Sequence, residues 1–292
     1  TGEVLTSGDI ITADANITFT RAVTLGASVD IDSTGGAAGN ILFSSTVATA
    51  GFNLVLDGGT AGNVTISGAV TGGGDMTVRD GAVQAYDALT VNSLTISDAT
   101  TSVTLGGAVA STAAIVIDSA GTIVQNGAIT LATTINLDAV STIGLNAAIS
   151  GVTGAIDIDA TGVTTIAAAG NISAGGAVKF GVVKTGTLTT SADIVTTADD
   201  ITFTRAVTLI DDVDIDSAGG IILFSSTVAT ESNNLVLDGG TAGNVTVGAV
   251  TGGGNMTVRD GAVQTYAALS VGSLTVADAQ TSATFNGKIG RA

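Results

Sequence analysis

The chain repeats itself at two lengths, and the shorter one restricts what it can fold into. The segment Ile17 to Leu25 (ITFTRAVTL) returns unchanged at Ile201 to Leu209. Leu54 to Thr65 (LVLDGGTAGNVT) returns at Leu235 to Thr246, and Met76 to Gln84 (MTVRDGAVQ) at Met256 to Gln264, so the offsets run 184, 181 and 180 residues. Thr1-Gly2, Thr6-Ser7 and Asp9-Ile10 likewise match Thr185-Gly186, Thr190-Ser191 and Asp193-Ile194. The chain thus holds one long repeat, 1–184, and a truncated second copy, 185–292. Opening on Thr1 rather than Met, it reads as a processed product or an excerpt of a longer array. The offset shrinks through losses such as Ala37-Ala38-Gly39, absent before Ile221. Strands are kept and turns vary, as expected of surface loops on a rigid scaffold.

Inside each long repeat an apolar–x–apolar step ends on Asp and small residues. It recurs at Val29-Asp30-Ile31-Asp32, Leu54-Val55-Leu56-Asp57, Ile115-Val116-Ile117-Asp118, Ile135-Asn136-Leu137-Asp138, Ile156-Asp157-Ile158-Asp159, Val213-Asp214-Ile215-Asp216 and Leu235-Val236-Leu237-Asp238. Looser versions end at Asp80, Asp98, Asp260 and Asp278. From Asp32 through Asp57, Asp80, Asp98, Asp118 and Asp138 to Asp159 the spacings are 25, 23, 18, 20, 20 and 21 residues. The alternation is that of a β-strand, whose side chains point to opposite faces with a period of two. Ile115 and Ile117 are expected inside, Val116 and Asp118 outside. Val, Ile and Thr fill the segments, while Gly, Asn, Asp and Ser punctuate them. Gly39-Asn40, Gly62-Asn63, Gly170-Asn171 and Gly243-Asn244 each precede a strand, and both residue types tolerate the left-handed backbone that a corner needs. No segment reads as a helix.

Composition chooses among the all-β architectures. The chain has no Pro, Cys, His or Trp, two Tyr, seven Phe and 41 Gly, with 45% of residues hydrophobic. Sandwich modules lack their aromatic anchors here, and a membrane barrel lacks its aromatic girdles. No apolar run is long enough for a membrane-spanning helix, and no signal peptide is evident. A solenoid accommodates the pattern, because each coil stacks on the last and its in-facing Ile, Val and Leu form ladders. The expected fold is therefore all-β: a parallel, right-handed β-helix or solenoid with coils of about 20 residues, running through 1–292 as a single continuous domain. Roughly fourteen coils at a strand spacing of ~4.8 Å would make a rod on the order of 65 Å long.

The phrases GNVTISGAV, GGGDMTVRDGAV, GAITLATTINLDAV and GAIDIDATGVTTI resemble the repetitive β-strand regions of large bacterial surface proteins, the filamentous-haemagglutinin-like adhesins and autotransporter passengers. The likeness extends over nearly the whole chain and is one of texture. It implies secretion, an extracellular or cell-surface location, and adhesion or matrix building, but it transfers no binding residue.

The net charge of −17 disfavours nucleic acid and anionic lipid, which bind through Lys and Arg. Lack of His and Cys removes the usual general base, thiol nucleophile and soft-metal ligands. The enzymatic alternative is a polysaccharide-cleaving β-helix using Asp75, Arg79, Asp80 and Tyr86, with copies at Arg259, Asp260 and Tyr266. Against it, Asn255 replaces Asp75 in the second copy, and an Arg–Asp surface pair beside a Gly turn explains the rest. The pairs Asp30/Asp32, Asp157/Asp159 and Asp214/Asp216 are the candidate calcium ligands, although no known calcium-loop spacing occurs and Asp is also an ordinary turn former. Thr-x-Thr phrases such as Thr18-Phe19-Thr20 could make an ice-binding face, but the Thr positions are not expected to recur in one register. Gly72-Gly73-Gly74 lacks the Lys and helix of a phosphate loop and reads as a turn.

The expected function is a non-enzymatic structural or adhesive stalk, fibre or surface layer. Its expected partners are further copies of itself, stacked end to end or side by side, and cell-surface or matrix glycans. The alternative is a carbohydrate-binding or carbohydrate-cleaving β-helix.

Overall fold

Most of the described strands are two to five residues long, with Val, Ile or Leu on alternate positions, and four are longer: Met76–Tyr86, Leu94–Leu105, Asn255–Tyr266 and Ser273–Phe285. The structure is a computed structural model. It describes residues 2–34, 39–181 and 183–291, so Ala37 and Ala38 of the variable turn lie outside the described residues. The protein is a parallel β-solenoid without helix, with coils about 21 residues apart and about 13 turns. Its contacts divide it into two compact units, Thr1–Thr142 and Ile143–Ala292. That boundary does not coincide with the repeat boundary at residues 184 and 185.

In the first unit each coil contributes three strands, and each strand pairs in parallel with its counterpart one coil later. One stack contains Val29–Asp32, Leu54–Asp57, the start of Met76–Tyr86, the start of Leu94–Leu105, Ile115–Ser119 and Ile135–Ala139. A second runs from Ile17–Phe19 through Ile41–Phe43 and Val64–Ile66 to Thr122–Gln125. The third runs from Val4–Thr6 through Val23–Leu25, Val47–Ala48 and Val70–Thr71 to Ile129–Thr130. Met76–Tyr86 and Leu94–Leu105 pass through a corner without a break, and their registers shift there.

Parallel stacking turns the alternation of one strand into columns of like side chains. Leu54, Met76, Leu94 and Ile115 form one inner column, and Leu56, Val78, Ile96 and Ile117 its neighbour, all fully buried. Ile115 and Ile117 point in while Val116 is half-exposed and Asp118 exposed, as the alternation requires. Aromatic rings stack in the same way. Phe19 lies over Phe43 with ring centroids 4.6 Å apart, and Phe180, Phe203 and Phe224 form a three-ring column in the second unit at 5.1 and 4.3 Å.

The second unit repeats the three-strand coil. One stack there includes Ile156–Ala160, Val178–Phe180, Ile201–Phe203 and Ile222–Phe224. Another holds Ile143–Leu145, Thr164–Ile166, Leu188–Thr190 and Val207–Leu209. The third holds Ile172–Ala174, Ile194–Thr196, Val213–Asp216, Leu235–Asp238 and the start of Asn255–Tyr266.

Two expectations, one about corners and one about Thr register, are corrected. The Gly-Asn pairs are not left-handed; positive φ falls elsewhere, as at Gly72 and Gly73, which make the expected turn. Gly170 is required by close approach, since a Cβ there would stand 2.7 Å from the Leu145 carbonyl oxygen and 2.8 Å from the Ile166 Cγ2. The Asn of each pair is a stacking group. Asn16 Oδ1 accepts the Asn40 backbone N–H at 2.9 Å, Asn40 Oδ1 that of Asn63 at 2.9 Å, and Asn63 Oδ1 that of Val83 at 3.2 Å. Thr does recur in register: Thr165, Thr189 and Thr208 sit side by side on successive coils, as do Thr246, Thr265 and Thr284. Unequal corner lengths hide this in the sequence. Both runs are short: the first is flanked in register by Gly144 and Ala229, and Leu223 precedes the second, so neither extends into a long Thr array.

Candidate functional site

The residues singled out from the sequence divide into coil-to-coil fasteners, local turn closures, two buried tyrosines and one buried ion pair. Asp30 and Asp214 are matching fasteners, one in each unit. Arg79 Nη1 donates to Asp30 Oδ2 at 2.8 Å, and Arg259 Nη1 to Asp214 Oδ2 at 2.8 Å. In register, Asp30 faces Val55 and Val55 faces Thr77, so the Arg79 stem must cross the intervening coil to reach its partner. Val236 holds the corresponding place beneath Arg259. These arginines are half exposed, and such a pair contributes about 0–1 kcal/mol. The Asp30 and Asp214 backbone N–H groups donate to the Oδ1 atoms of Asp9 and Asp193, each at 2.9 Å. Burial raises the Asp214 pKa, against the opposing pull of Arg259.

Asp32 accepts the Thr34 N–H at 2.7 Å, and Asp216 that of Ala218 at 2.8 Å, the short-range turn closure expected of Asp. These residues also begin columns of carboxylates. Asp32, Asp57 and Asp80 are in register in the first unit, and Asp216, Asp238, Asp260 and Asp278 in the second. Burial, then the neighbouring carboxylates, holds Asp57 and Asp80 above the usual carboxylate range, although N–H groups of Gly59 and Gly81 partly offset this. Among the described residues no three carboxylates converge as metal ligands, because the columns spread their charges along the coils.

Asp157 and Asp159 part company. Asp157 faces outward opposite Lys179 in register, and its pKa is raised by burial and by Asp159. Asp159 is 4% exposed and meets Arg205, also 4% exposed, at 2.7 Å. Its two oxygens further accept the backbone N–H groups of Val183 (2.7 Å) and Lys184 (3.0 Å). Arg205 additionally donates Nη1–H to Thr164 Oγ1 at 3.2 Å. Removing one partner of a pair buried this deeply costs about 3–5 kcal/mol, because the other charge is left without compensation. Arg205 was missed in the sequence; its copy Arg21, inside the same ITFTRAVTL phrase, is exposed.

Each residue of the expected catalytic constellation is engaged within the scaffold. Asp75 accepts Asn92 Nδ2–H and Ser93 Oγ–H, each at 2.7 Å, which lowers its pKa. Arg79 is engaged with Asp30, and Asp80 accepts the Gly81 N–H at 2.9 Å. Tyr86 and Tyr266 are buried, their hydroxyls donate to Gln84 and Gln264, and desolvation raises both phenol pKa values. Neither ring is placed to stack on a sugar. In the second unit a groove of about 490 Å³ is lined by Asp193, Asp212, Asp214 and Asn234. Its carboxylates are fasteners too: Asp212 accepts both the backbone and the side-chain N–H of Asn234.

Further fastening groups lie at the inner corners. Buried Thr49 donates to the Thr71 carbonyl and accepts the Gly74 N–H at 3.0 Å, and Thr230 does the same with Thr251 and Gly254. Their signal in the sequence is a hydroxyl residue two positions after an in-facing Val, at Val47 and Val228. Comparison with protein-family models, curated proteins and solved structures returns no match.

Proposed function

We propose that the protein is a non-enzymatic structural or adhesive β-solenoid that works outside the cell or at its surface as a stalk, fibre or layer. One observation carries the reading: the polar side chains that could have made a catalytic cleft are spent on bonds within the scaffold, to neighbouring coils or to their own turns and strands. Asn, Asp and Ser side chains accept or donate from one coil to the next, and both candidate arginines bridge to carboxylates two coils away. Such bonding favours persistence of shape over the convergence of free groups that catalysis requires.

Self-association is supported by the distribution of charge. In the first unit the outward column Leu5, Thr24, Ala48, Thr71, Thr90, Ala110 and Thr130 carries no charge, within a chain of net charge −17. A strand surface without charge is one that a second copy can approach without charge repulsion. Incubation with acidic polysaccharides, with and without calcium, tests the non-enzymatic part. The expected result is unchanged polymer length; accumulation of unsaturated sugar ends would establish a lyase instead.

A further inference from the structure

Several corner asparagines are followed two residues later by a hydroxyl. The triplets are Asn16-Ile17-Thr18, Asn63-Val64-Thr65, Asn171-Ile172-Ser173, Asn244-Val245-Thr246 and Asn255-Met256-Thr257. The first four asparagines directly precede a strand, and Asn255 opens one. Alternation buries the middle residue of every triplet and leaves the Asn exposed, with the hydroxyl residue half-exposed or exposed on the same outer side.

The carboxamides of Asn16, Asn63, Asn171 and Asn244 are held by their oxygens alone. Each Oδ1 accepts a backbone N–H of the next coil, from Asn40 at 2.9 Å, Val83 at 3.2 Å, Asp193 at 3.0 Å and Val263 at 3.2 Å respectively. A backbone donor admits only the oxygen at that place, so Nδ2 is turned away from it and donates to no described residue. Other asparagines commit the nitrogen. Asn40 Nδ2 donates to Asn16 Oδ1 at 3.1 Å, Asn92 Nδ2 to Asp75 at 2.7 Å, Asn233 Nδ2 to the Leu209 carbonyl at 3.1 Å and Asn234 Nδ2 to Asp212 at 2.8 Å. None of these has Ser or Thr two residues on. Asn255 has the triplet, but its nitrogen donates to Asn234 at 3.0 Å. Ladder bonding does not account for the hydroxyls: Asn40 Oδ1 accepts the Asn63 N–H in the same way with Leu42 two residues on. The hydroxyls of Thr18, Thr65, Ser173 and Thr246 bond to no described residue either.

An exposed Asn-x-Ser/Thr triplet is the acceptor pattern of N-linked glycosylation. We propose that Asn16, Asn63, Asn171 and Asn244 carry N-linked sugar. The donor is a sugar activated as a glycosyl pyrophosphate ester, supplied with its transferase by the producing cell. Nδ2 forms a bond to the anomeric carbon, the bond from that carbon to the phosphate oxygen breaks with its electron pair, and the surplus proton on nitrogen passes to a base of the transferase. The linkage keeps the amide carbonyl, so each Oδ1 retains its bond to the next coil and no fastener is lost. Asn16 and Asn63 are two coils apart, roughly 10 Å at the strand spacing, and with Thr18 and Thr65 they line a groove of about 270 Å³. The inference rests on the extracellular reading above, since a secreted chain is the one that meets such transferases.

The test is glycopeptide mapping by mass spectrometry of the full chain, recovered separately from the culture medium, the cell surface and the cell interior. Sugar on these four asparagines is expected in the extracellular fractions, with Asn40 and Asn53 bare. Thr65→Val keeps the strand and the Asn63 ladder bond but removes the hydroxyl; it should clear Asn63 of sugar while Asn16 stays occupied, and Thr65→Ser should restore it. Ser173→Ala, at an exposed position, gives the same reading at Asn171 if Thr65→Val fails to fold. Chain found outside the cell with all four asparagines bare overturns this proposal and leaves the extracellular reading standing. Chain confined to the interior and bare overturns both. Sugar linked to the Thr65 oxygen rather than to Asn63 also overturns it.

Discussion

Gly170 and Gly144 lie in the same unit and neither has a left-handed φ, yet replacing each by Ala should have opposite effects. A Cβ at position 170 would stand 2.7 Å from the Leu145 carbonyl oxygen, 2.8 Å from Ile166 Cγ2 and 3.0 Å from the Ala167 carbonyl oxygen. Ordinary contact begins near 3.4 Å, so the new methyl is too close on three sides by several tenths of an ångström. Two of the obstacles are backbone oxygens fixed by hydrogen bonds, Ala167 N–H to Leu145 at 2.9 Å and Gly170 N–H to Ala167 at 2.7 Å. The corner cannot yield without loosening them. Overpacking of this sort costs about 1–3 kcal/mol. At position 144 the nearest atom to the new Cβ would be Asn146 Nδ2 at 3.9 Å, so the methyl is accommodated. Restricting the unfolded chain then stabilises by about 0.4–1 kcal/mol. For a unit of this size 1 kcal/mol moves the melting temperature by about 2–4 °C. Thermal unfolding followed by circular dichroism should show Gly170→Ala lower by about 2–12 °C and Gly144→Ala equal to or slightly above the parent. If Gly170→Ala melts with the parent, or Gly144→Ala falls as far as Gly170→Ala, the close-approach argument for the Gly-Asn corners is wrong.

Three further outcomes follow from the columns. Ile117→Ala empties a fully buried inner position between Ile96 and Leu137 and should lower unfolding free energy in guanidinium chloride by about 2–5 kcal/mol. Arg79→Ala should change it by less than about 1 kcal/mol, with the difference shrinking as salt is added. Asp57 has a folded-state pKa raised above its value of 3.8, mainly by burial and with help from Asp32. Its contribution is therefore fully present below that value and lost as pH rises through the folded pKa. Asp57→Asn should accordingly raise the melting temperature at pH 7 relative to the parent, with the gain disappearing near pH 3; a gain that persists at pH 3 would refute the assignment.

Much of this architecture is legible in the sequence because parallel stacking converts local alternation into global columns. Val29-Asp30-Ile31-Asp32 already shows which residues point in, and stacking merely repeats that choice on the next coil. The spacing of the Asp series likewise reports the coil length, since one Asp closes one strand per coil. What is not legible depends on partners in other coils. Arg21 and Arg205 sit in identical nine-residue phrases, but only Arg205 is met by Asp159 and by the long connection after Phe180. Tyr86 and Tyr266 look like surface aromatics beside Arg and Asp until strand phase places them, with Gln84 and Gln264, on the inside. The Gly-Asn corners were located correctly for the wrong reason, because backbone crowding and side-chain hydrogen bonding between coils leave no mark on a single coil's sequence.

The measurement closest to the central claim is electron microscopy and diffraction of the purified protein over a range of concentrations, with calcium or a chelator present. The account predicts association into fibres or sheets whose diffraction carries a ~4.8 Å spacing along the direction of coil stacking. Solitary particles at the highest concentration, with no ordered association under either condition, would contradict it.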